Sequence, residues 1–334
     1  MSVLNAIGNT PLIEIPSLSK IADAKIMVKC ENLNPGGSIK DRAAKSMVLK
    51  AIEKGLLKKG MTIVEGTAGN TGIGLAIVGR ALGFDVTIVM PNNQAKEKER
   101  LIEFFGAKLI TVPPCPFADQ NHFYHTARRM AEAEPLKYWW ANQFENLDNH
   151  LAHYETTAPE IWQQTNGQID FFISASGSGG TMGGCTKYFK EKNPNIKTLL
   201  VDPEGSGLYH FIKHGEFKAV GSSLTEGIGI MRLVANFKEA KIDDVYSLTD
   251  QELVSVAHYV RFHDGITLGS SSALNVALAF KIALEEKKKK NMHKTYVTMW
   301  CDGGERSLSK LYSDEFLASK NLSSDLALFE NLKK

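Results

Sequence analysis

Thr62-Ile63-Val64-Glu65-Gly66-Thr67-Ala68-Gly69-Asn70-Thr71-Gly72-Ile73-Gly74-Leu75-Ala76-Ile77-Val78 decides the fold class. A β-branched run reads as a strand, small residues make a close turn, and apolar residues at helical spacing follow to Leu82. The same grammar repeats in both directions along the chain. Strands are predicted at Ile26–Cys30, Thr62–Glu65, Val86–Met90, Lys108–Val112, Tyr138–Ala141, Phe171–Ser174, Lys197–Val201 and Tyr296–Cys301. Helices are predicted at Lys40–Leu57, Thr71–Leu82, Lys96–Phe105, Phe123–Ala133, Tyr154–Gln164, Gln251–Phe262 and Ser272–Glu285. Such alternation means parallel sheets wrapped by helices on both faces. A chain of 334 residues exceeds what one core usually supports, so two packed α/β domains are expected. In such folds ligands sit where strand ends meet helix starts.

Composition narrows the partners. The formal net charge of +2 implies neither a nucleic-acid nor a membrane partner. Cys30, Cys115, Cys185 and Cys301 lie far apart, which argues against a zinc cluster or disulfide framework and fits a reducing, cytoplasmic setting. No signal region or bilayer-length apolar run is apparent. The basic run Lys287–Lys290 reads as a solvated helix end. His150 and His153 read as surface or capping residues, not a metal pair; Phe104, Phe105 and Phe123 read as core, and Tyr138-Trp139-Trp140 as a buried strand. No metal site is expected.

Four junctions carry chemistry. In Asn34-Pro35-Gly36-Gly37-Ser38-Ile39-Lys40-Asp41-Arg42, Ser38 with Asp41 predicts a capping pattern that puts Lys40 in the first helical turn. The positive end of the helix disfavours an ammonium there, and a neutral amine is what Schiff-base chemistry needs. In Gly66–Gly72, helix-start N–H groups could hold a carboxylate, aided by the Thr67 and Thr71 hydroxyls. Ser176-Gly177-Ser178-Gly179-Gly180-Thr181 forms a cradle for one phosphate. It is not the dinucleotide fingerprint, because the last glycine falls at Gly183 where the register demands it at Met182. In Gly265–Ala273 a serine is expected to cap the following helix, leaving another of Ser270, Ser271 and Ser272 to face a ligand.

These junctions, with Ile7–Leu12, Gln143–Asn146, Glu226–Gly229 and Gly303–Arg306, resemble the cysteine synthase and cystathionine β-synthase family of pyridoxal-phosphate (PLP) enzymes. The resemblance spans nearly the whole chain. It implies the tryptophan-synthase-β-like architecture (PLP fold type II): residues 40–145 as a smaller domain, 1–39 plus 146–334 as a larger one, and PLP between them. It implies that Lys40 holds the cofactor covalently. Asn70 would bond the cofactor's 3′ oxygen, Gly177, Ser178, Gly179, Gly180 and Thr181 would bind its phosphate, and Ser271 would face the pyridine nitrogen. Thr67, Ala68, Gly69, Thr71 and Gln143 would hold the substrate carboxylate, with Gly227 bordering the entrance. A homodimer and docking by a serine acetyltransferase are implied as well.

The implied reaction is β-replacement: an activated serine such as O-acetylserine loses its β-substituent, passes through an aminoacrylate and takes up sulfide or a thiol. The freed Lys40 amine is the natural base. A serine at the pyridine nitrogen makes the cofactor a moderate electron sink, which suits elimination better than transamination. Three positions depart from the pattern: Ala68 for a serine, Ser270 for an apolar residue, and Cys301-Asp302 for Pro-Ser. Competing readings are a cystathionine β-synthase-like or serine-using enzyme, a serine or threonine dehydratase, and a catalytically silent PLP-binding sensor.

Overall fold

The computed structural model describes residues 2–333. Strands run β1 (Leu12–Glu14), β2 (Lys25–Cys30), β3 (Thr62–Gly66), β4 (Asp85–Pro91), β5 (Lys108–Val112), β6 (Tyr138–Trp140), β7 (Phe171–Ala175), β8 (Lys197–Pro203), β9 (Asp244–Leu248) and β10 (Thr295–Trp300). The first helices are α1 (Pro16–Ala22), α2 (Lys40–Glu53), α3 (Asn70–Leu82), α4 (Lys96–Phe104) and α5 (Phe123–Ala133). Then come α6 (Asp148–Ala152), α7 (Ala158–Gln164), α8 (Gly180–Lys192), α9 (Leu208–His214), α10 (Ala235–Lys238), α11 (Asp250–Asp264), α12 (Ser270–Lys288) and α13 (Asp314–Ser319).

The strands form two sheets. One has six strands in the order β1-β2-β10-β7-β8-β9; the other has four in the order β5-β4-β3-β6. All pairings are parallel except β1 with β2. Parallel strands covered on both faces must be apolar nearly throughout, and β4 and β8 are buried from their second residue onward. Helix α12 is buried on all sides from Ser270 to Phe280 because α1, α11, β7 and β10 pack around it. The six-stranded sheet is cored by one large apolar cluster including Leu274, Phe280 and Tyr296, and the four-stranded sheet by another including Met47, Ile63 and Ile88.

Several expectations are corrected. β1 and β9 escape the sequence reading because they are the edge strands of their sheet and carry no continuous buried run, and helices α1, α9, α10 and α13 because they are short. The Ser38–Asp41 capping pattern does not form: the Asp41 carboxylate turns back to accept from the Gly36 N–H, and Ser38 Oγ accepts only from Lys40 N (3.3 Å). Gly269, not a serine, caps α12, so Ser270, Ser271 and Ser272 all fall in its first turn. Phe104 is largely exposed and β6 is only half-buried, because β6 is an edge strand and Phe104 sits on the outer face of α4. His150 and His153 are buried, not on the surface. Gly184 explains this: a Cβ there would run into the His150 carbonyl oxygen and the His153 side chain, so its absence lets α8 close onto the helical run 148–164.

Beneath the start of α2 lies a buried cluster of four charges. Arg42 contacts Glu31 (2.7 Å) and Glu160 (2.7 Å), and Lys29, with no exposed surface, contacts Glu160 (2.7 Å), Gln164 (2.9 Å) and the Thr10 carbonyl (2.6 Å). Burial alone would raise the Glu160 pKa, but Arg42 and Lys29 outweigh it and hold the carboxyl at about 2. A carboxyl depressed in the folded state stabilises the fold above its unfolded pKa, near 4.5, and that contribution is lost as pH falls towards 2. A shift of this size corresponds to on the order of 3 kcal/mol. The urea midpoint of the native chain should therefore drop between pH 5 and pH 2.5 more steeply than that of Glu160→Gln. Parallel pH profiles for the two would contradict the assignment.

Candidate active site

A cleft of about 890 Å³ opens where the C-terminal ends of β3 and β7 and the starts of α2, α3, α8 and α12 come together. Its lining includes Lys40, the whole Thr67–Thr71 loop, Gln143, the Gly177–Thr181 loop, Gly227 and Ser271. Every residue that the resemblance assigns to cofactor or substrate thus borders one cavity. The volume lies within the range of small-molecule sites.

Lys40 stands in the first turn of α2 at the cavity wall, and burial is the main cause lowering its pKa. The neighbouring Cys301 and Asp302 oppose that shift and Lys98 reinforces it. The helix end was the reason expected from sequence; removal from water is the larger one. Behind the lysine, Ile39 N donates to the Cys301 carbonyl (2.9 Å), and Ser38 pairs with Asp302 as a short β-bridge.

The Thr67–Thr71 loop is held from below. Thr67 N donates to Val89 O (3.0 Å) and Gly69 N to Thr67 Oγ1 (3.2 Å). Among the described residues, the N–H groups of Ala68, Asn70 and Thr71 have no acceptor within the protein, as expected where a helix begins. Gln143 braces the loop: its Oε1 accepts from Thr71 Oγ1 (2.7 Å), while its Nε2 donates to Glu65 Oε1 (3.3 Å) and Gly66 O (3.4 Å). Glu65 has no exposed surface, and burial pushes its carboxyl up to about 8, so it is neutral near pH 7. A glutamate closing an apolar strand was a signal available in the sequence, and its bracing role went unread.

At the third junction the glycines are sterically required. A Cβ on Gly177 would strike the Gly227 carbonyl, on Gly179 the Phe237 backbone, and on Gly180 the Asn149 side chain. Gly179 also has φ +87°, in the left-handed region. Asn149 Nδ2 donates to Ser178 Oγ (2.9 Å), which leaves the hydroxyl hydrogen free. Ser176 Oγ is buried without a partner among the described residues. At the fourth junction Ser271 faces the cleft; Ser270 does not line it, and its Oγ accepts from Glu226 N (3.3 Å).

Three further features were not anticipated. Phe123 packs against the small apolar cluster of Val64, Val89 and Ala127, as expected, and also lines the cleft beside Phe117, His122 and Phe144. The Arg232 guanidinium lies over the rings of Phe117 (4.6 Å), Tyr124 (5.0 Å) and Phe144 (5.3 Å) while pairing with Glu145. Finally, Glu226 ties the two sheets' flanks together. It accepts from Ala95 N (3.0 Å), Lys98 (2.5 Å) and Lys310 (2.5 Å). Next to it Ser309 binds Glu97 through N (3.1 Å) and Oγ (3.0 Å). Glu226→Ala should cost about 3 kcal/mol in urea unfolding, because Lys98 would be left buried and unpaired. A loss below about 1 kcal/mol, the level of an exposed pair, would refute that reading.

A family profile described as "Pyridoxal-phosphate dependent enzyme" matches residues 3–302. A cysteine synthase of Dictyostelium discoideum is 44% identical over 336 residues, covering 97% of this chain and 88% of that one. The solved structure of a cysteine synthase (OASS) from Entamoeba histolytica superposes with a TM-score of 0.86 at 34% identity, over 99% of this chain and 94% of the other. An O-acetylserine dependent cystathionine beta-synthase from Helicobacter pylori gives a TM-score of 0.83 at 32% identity, over 93% and 97%.

Proposed function

The chain belongs to the pyridoxal-phosphate dependent enzymes, and on that premise we propose that it forms L-cysteine by β-replacement, exchanging the β-substituent of O-acetylserine for sulfide. The observation that carries the reading is the convergence on one cleft of a neutral-leaning lysine, a carboxylate-sized loop and a bare glycine cradle.

The residues fit the cofactor on their own terms. Gly177, Gly179 and Gly180 leave no side chain over the start of α8, Thr181 and Ser178 offer hydroxyls, and a helix N-terminus favours an anion such as one phosphate. Lys40 is the residue that would hold the aldehyde covalently, Asn70 would meet the ring oxygen, and Ser271 would face the ring nitrogen. PLP, when bound, supplies an electron sink that makes the substrate's Cα proton acidic and allows the β-substituent to leave.

The protein's own groups then divide the work. The Lys40 amine, whose burial favours the uncharged form, takes the proton from Cα. Ala68 and Thr71 hold the substrate carboxylate through their free backbone N–H groups at the start of α3, while Gly69, whose own N–H donates to the Thr67 hydroxyl, shapes the turn beneath it. Gln143 contributes by fixing the Thr71 hydroxyl. Replacing a serine by Ala68 removes a hydroxyl and leaves the N–H in place. Gly227 borders the opening through which the second substrate arrives.

In this reading residues 40–145 make the smaller domain, and 1–39 with 146–334 the larger. Homodimeric assembly, a cytoplasmic setting and docking by a serine acetyltransferase belong to the same reading, supported by relatedness alone. Among the described residues no helix is long and apolar enough to cross a membrane.

A second reading puts an organic thiol in place of sulfide. It is favoured by the aromatic outer wall around Arg232, roomier than sulfide requires, and by the likeness to the Helicobacter pylori enzyme. PLP-loaded protein given O-acetylserine, O-phosphoserine or serine, each with sulfide or homocysteine, separates these. Cysteine formed fastest from O-acetylserine and sulfide is expected, and Lys40→Ala should lower that rate at least ~1000-fold. Pyruvate formed at the same rate with and without sulfide would replace the assignment by a dehydratase.

A further inference from the structure

We propose that Asp302 and Arg306 are positioning residues that clamp the Asn70 amide in one orientation, presenting its one uncommitted N–H to the cofactor's ring oxygen. This rests on the assignment of Asn70 made above.

Asn70 Nδ2 donates to Asp302 Oδ2 (2.7 Å), and Asn70 Oδ1 accepts from Arg306 Nη1 (2.8 Å). A primary amide carries two N–H donors and one acceptor oxygen. A carboxylate only accepts and a guanidinium only donates. Turned over, the amide would set its oxygen against the carboxylate and its N–H groups against the guanidinium, so both charge-assisted bonds would be lost together. One orientation survives, and in it one N–H is left over.

The clamp is itself immobilised. Arg306 is 4% exposed and Asp302 5%. A second Arg306 nitrogen donates to the Gly36 carbonyl in the loop before Lys40, and Gly37, with φ +69°, has no Cβ to displace the guanidinium. The Asp302 carbonyl accepts from Gly269 N (3.0 Å) and Ser272 Oγ (3.2 Å), on either side of Ser271. With its bridge to Ser38, one residue therefore joins the loops that carry Lys40, Asn70 and Ser271. Asn70 comes from the four-stranded sheet's flank, whereas Asp302 and Arg306 follow the central β10 of the other sheet. The amide is oriented only when the two flanks are closed on each other.

The test compares PLP-loaded Asn70→Ala, Asp302→Ala, Arg306→Lys and the Asn70→Ala/Asp302→Ala double variant. Readouts are the visible absorption of the bound cofactor and its dissociation constant by equilibrium dialysis. Asp302→Ala and Arg306→Lys should each shift the band in the direction Asn70→Ala does and weaken retention about tenfold. The double variant should match Asn70→Ala in cofactor retention, since both changes act on it through one contact, and any band shift added by Asp302→Ala alone reports its charge on Lys40. Multiplying effects in the double variant, or native spectra for Asp302→Ala and Arg306→Lys beside a shifted Asn70→Ala, overturn the clamp. An unchanged Asn70→Ala removes the Asn70 assignment itself, and the clamp with it. Should Asp302→Ala fail to fold by near-ultraviolet circular dichroism, Arg306→Lys, which keeps the charge and loses the forked donor, decides alone.

Discussion

The position of Lys40 depends on a guanidinium two residues further along the chain. Arg42 grips Glu31 at the end of β2 and Glu160 in α7, and Lys29 closes the network from the strand below. Two positive and two negative groups share the burial, and their oxygens and nitrogens are bonded to one another and to Thr10, Thr156 and Gln164. A buried charge set of this kind adds little net stability compared with apolar packing, but it has one good geometry. That geometry sets where α2 begins and therefore where its first lysine stands.

Around that fixed point the cleft is assembled by loops that brace one another more than they brace themselves. The Thr67–Thr71 loop leans on Gln143 and, through it, on a neutral Glu65. The glycine cradle closes against Gly227 and Asn149 only because Gly177 and Gly180 lack side chains. The flanks of the two sheets meet through Glu226 and through the Asn70 amide. Burial, not any single contact, then makes the lysine amine usable.

Much of this was legible in the sequence. Buried parallel strands read as apolar runs, and β5 and α5 have the bounds that their patterns predict. The four junctions were visible because glycine and hydroxyl residues cluster where strands end. What escaped depends on distant partners. Nothing local to Asn70 points to Arg306, which lies 236 positions away. Local rules also misjudged caps: Asp41 found the Gly36 N–H, and the serines of α12 lie within its first turn. His150 and His153 looked like surface residues because the glycine that admits them sits in another helix.

The protonated Glu65 beneath the Thr67–Thr71 loop has a consequence for anion binding. At neutral pH the floor of that loop is largely uncharged, so a ligand carboxylate above it meets the partial positive end of α3 with no negative charge beneath. As the medium becomes alkaline past about 8, the same side chain acquires a negative charge with nowhere to shed it. The floor then repels what the rim attracts. An alkaline ceiling on carboxylate affinity is thus written into the scaffold, separate from any titration of the reacting amine.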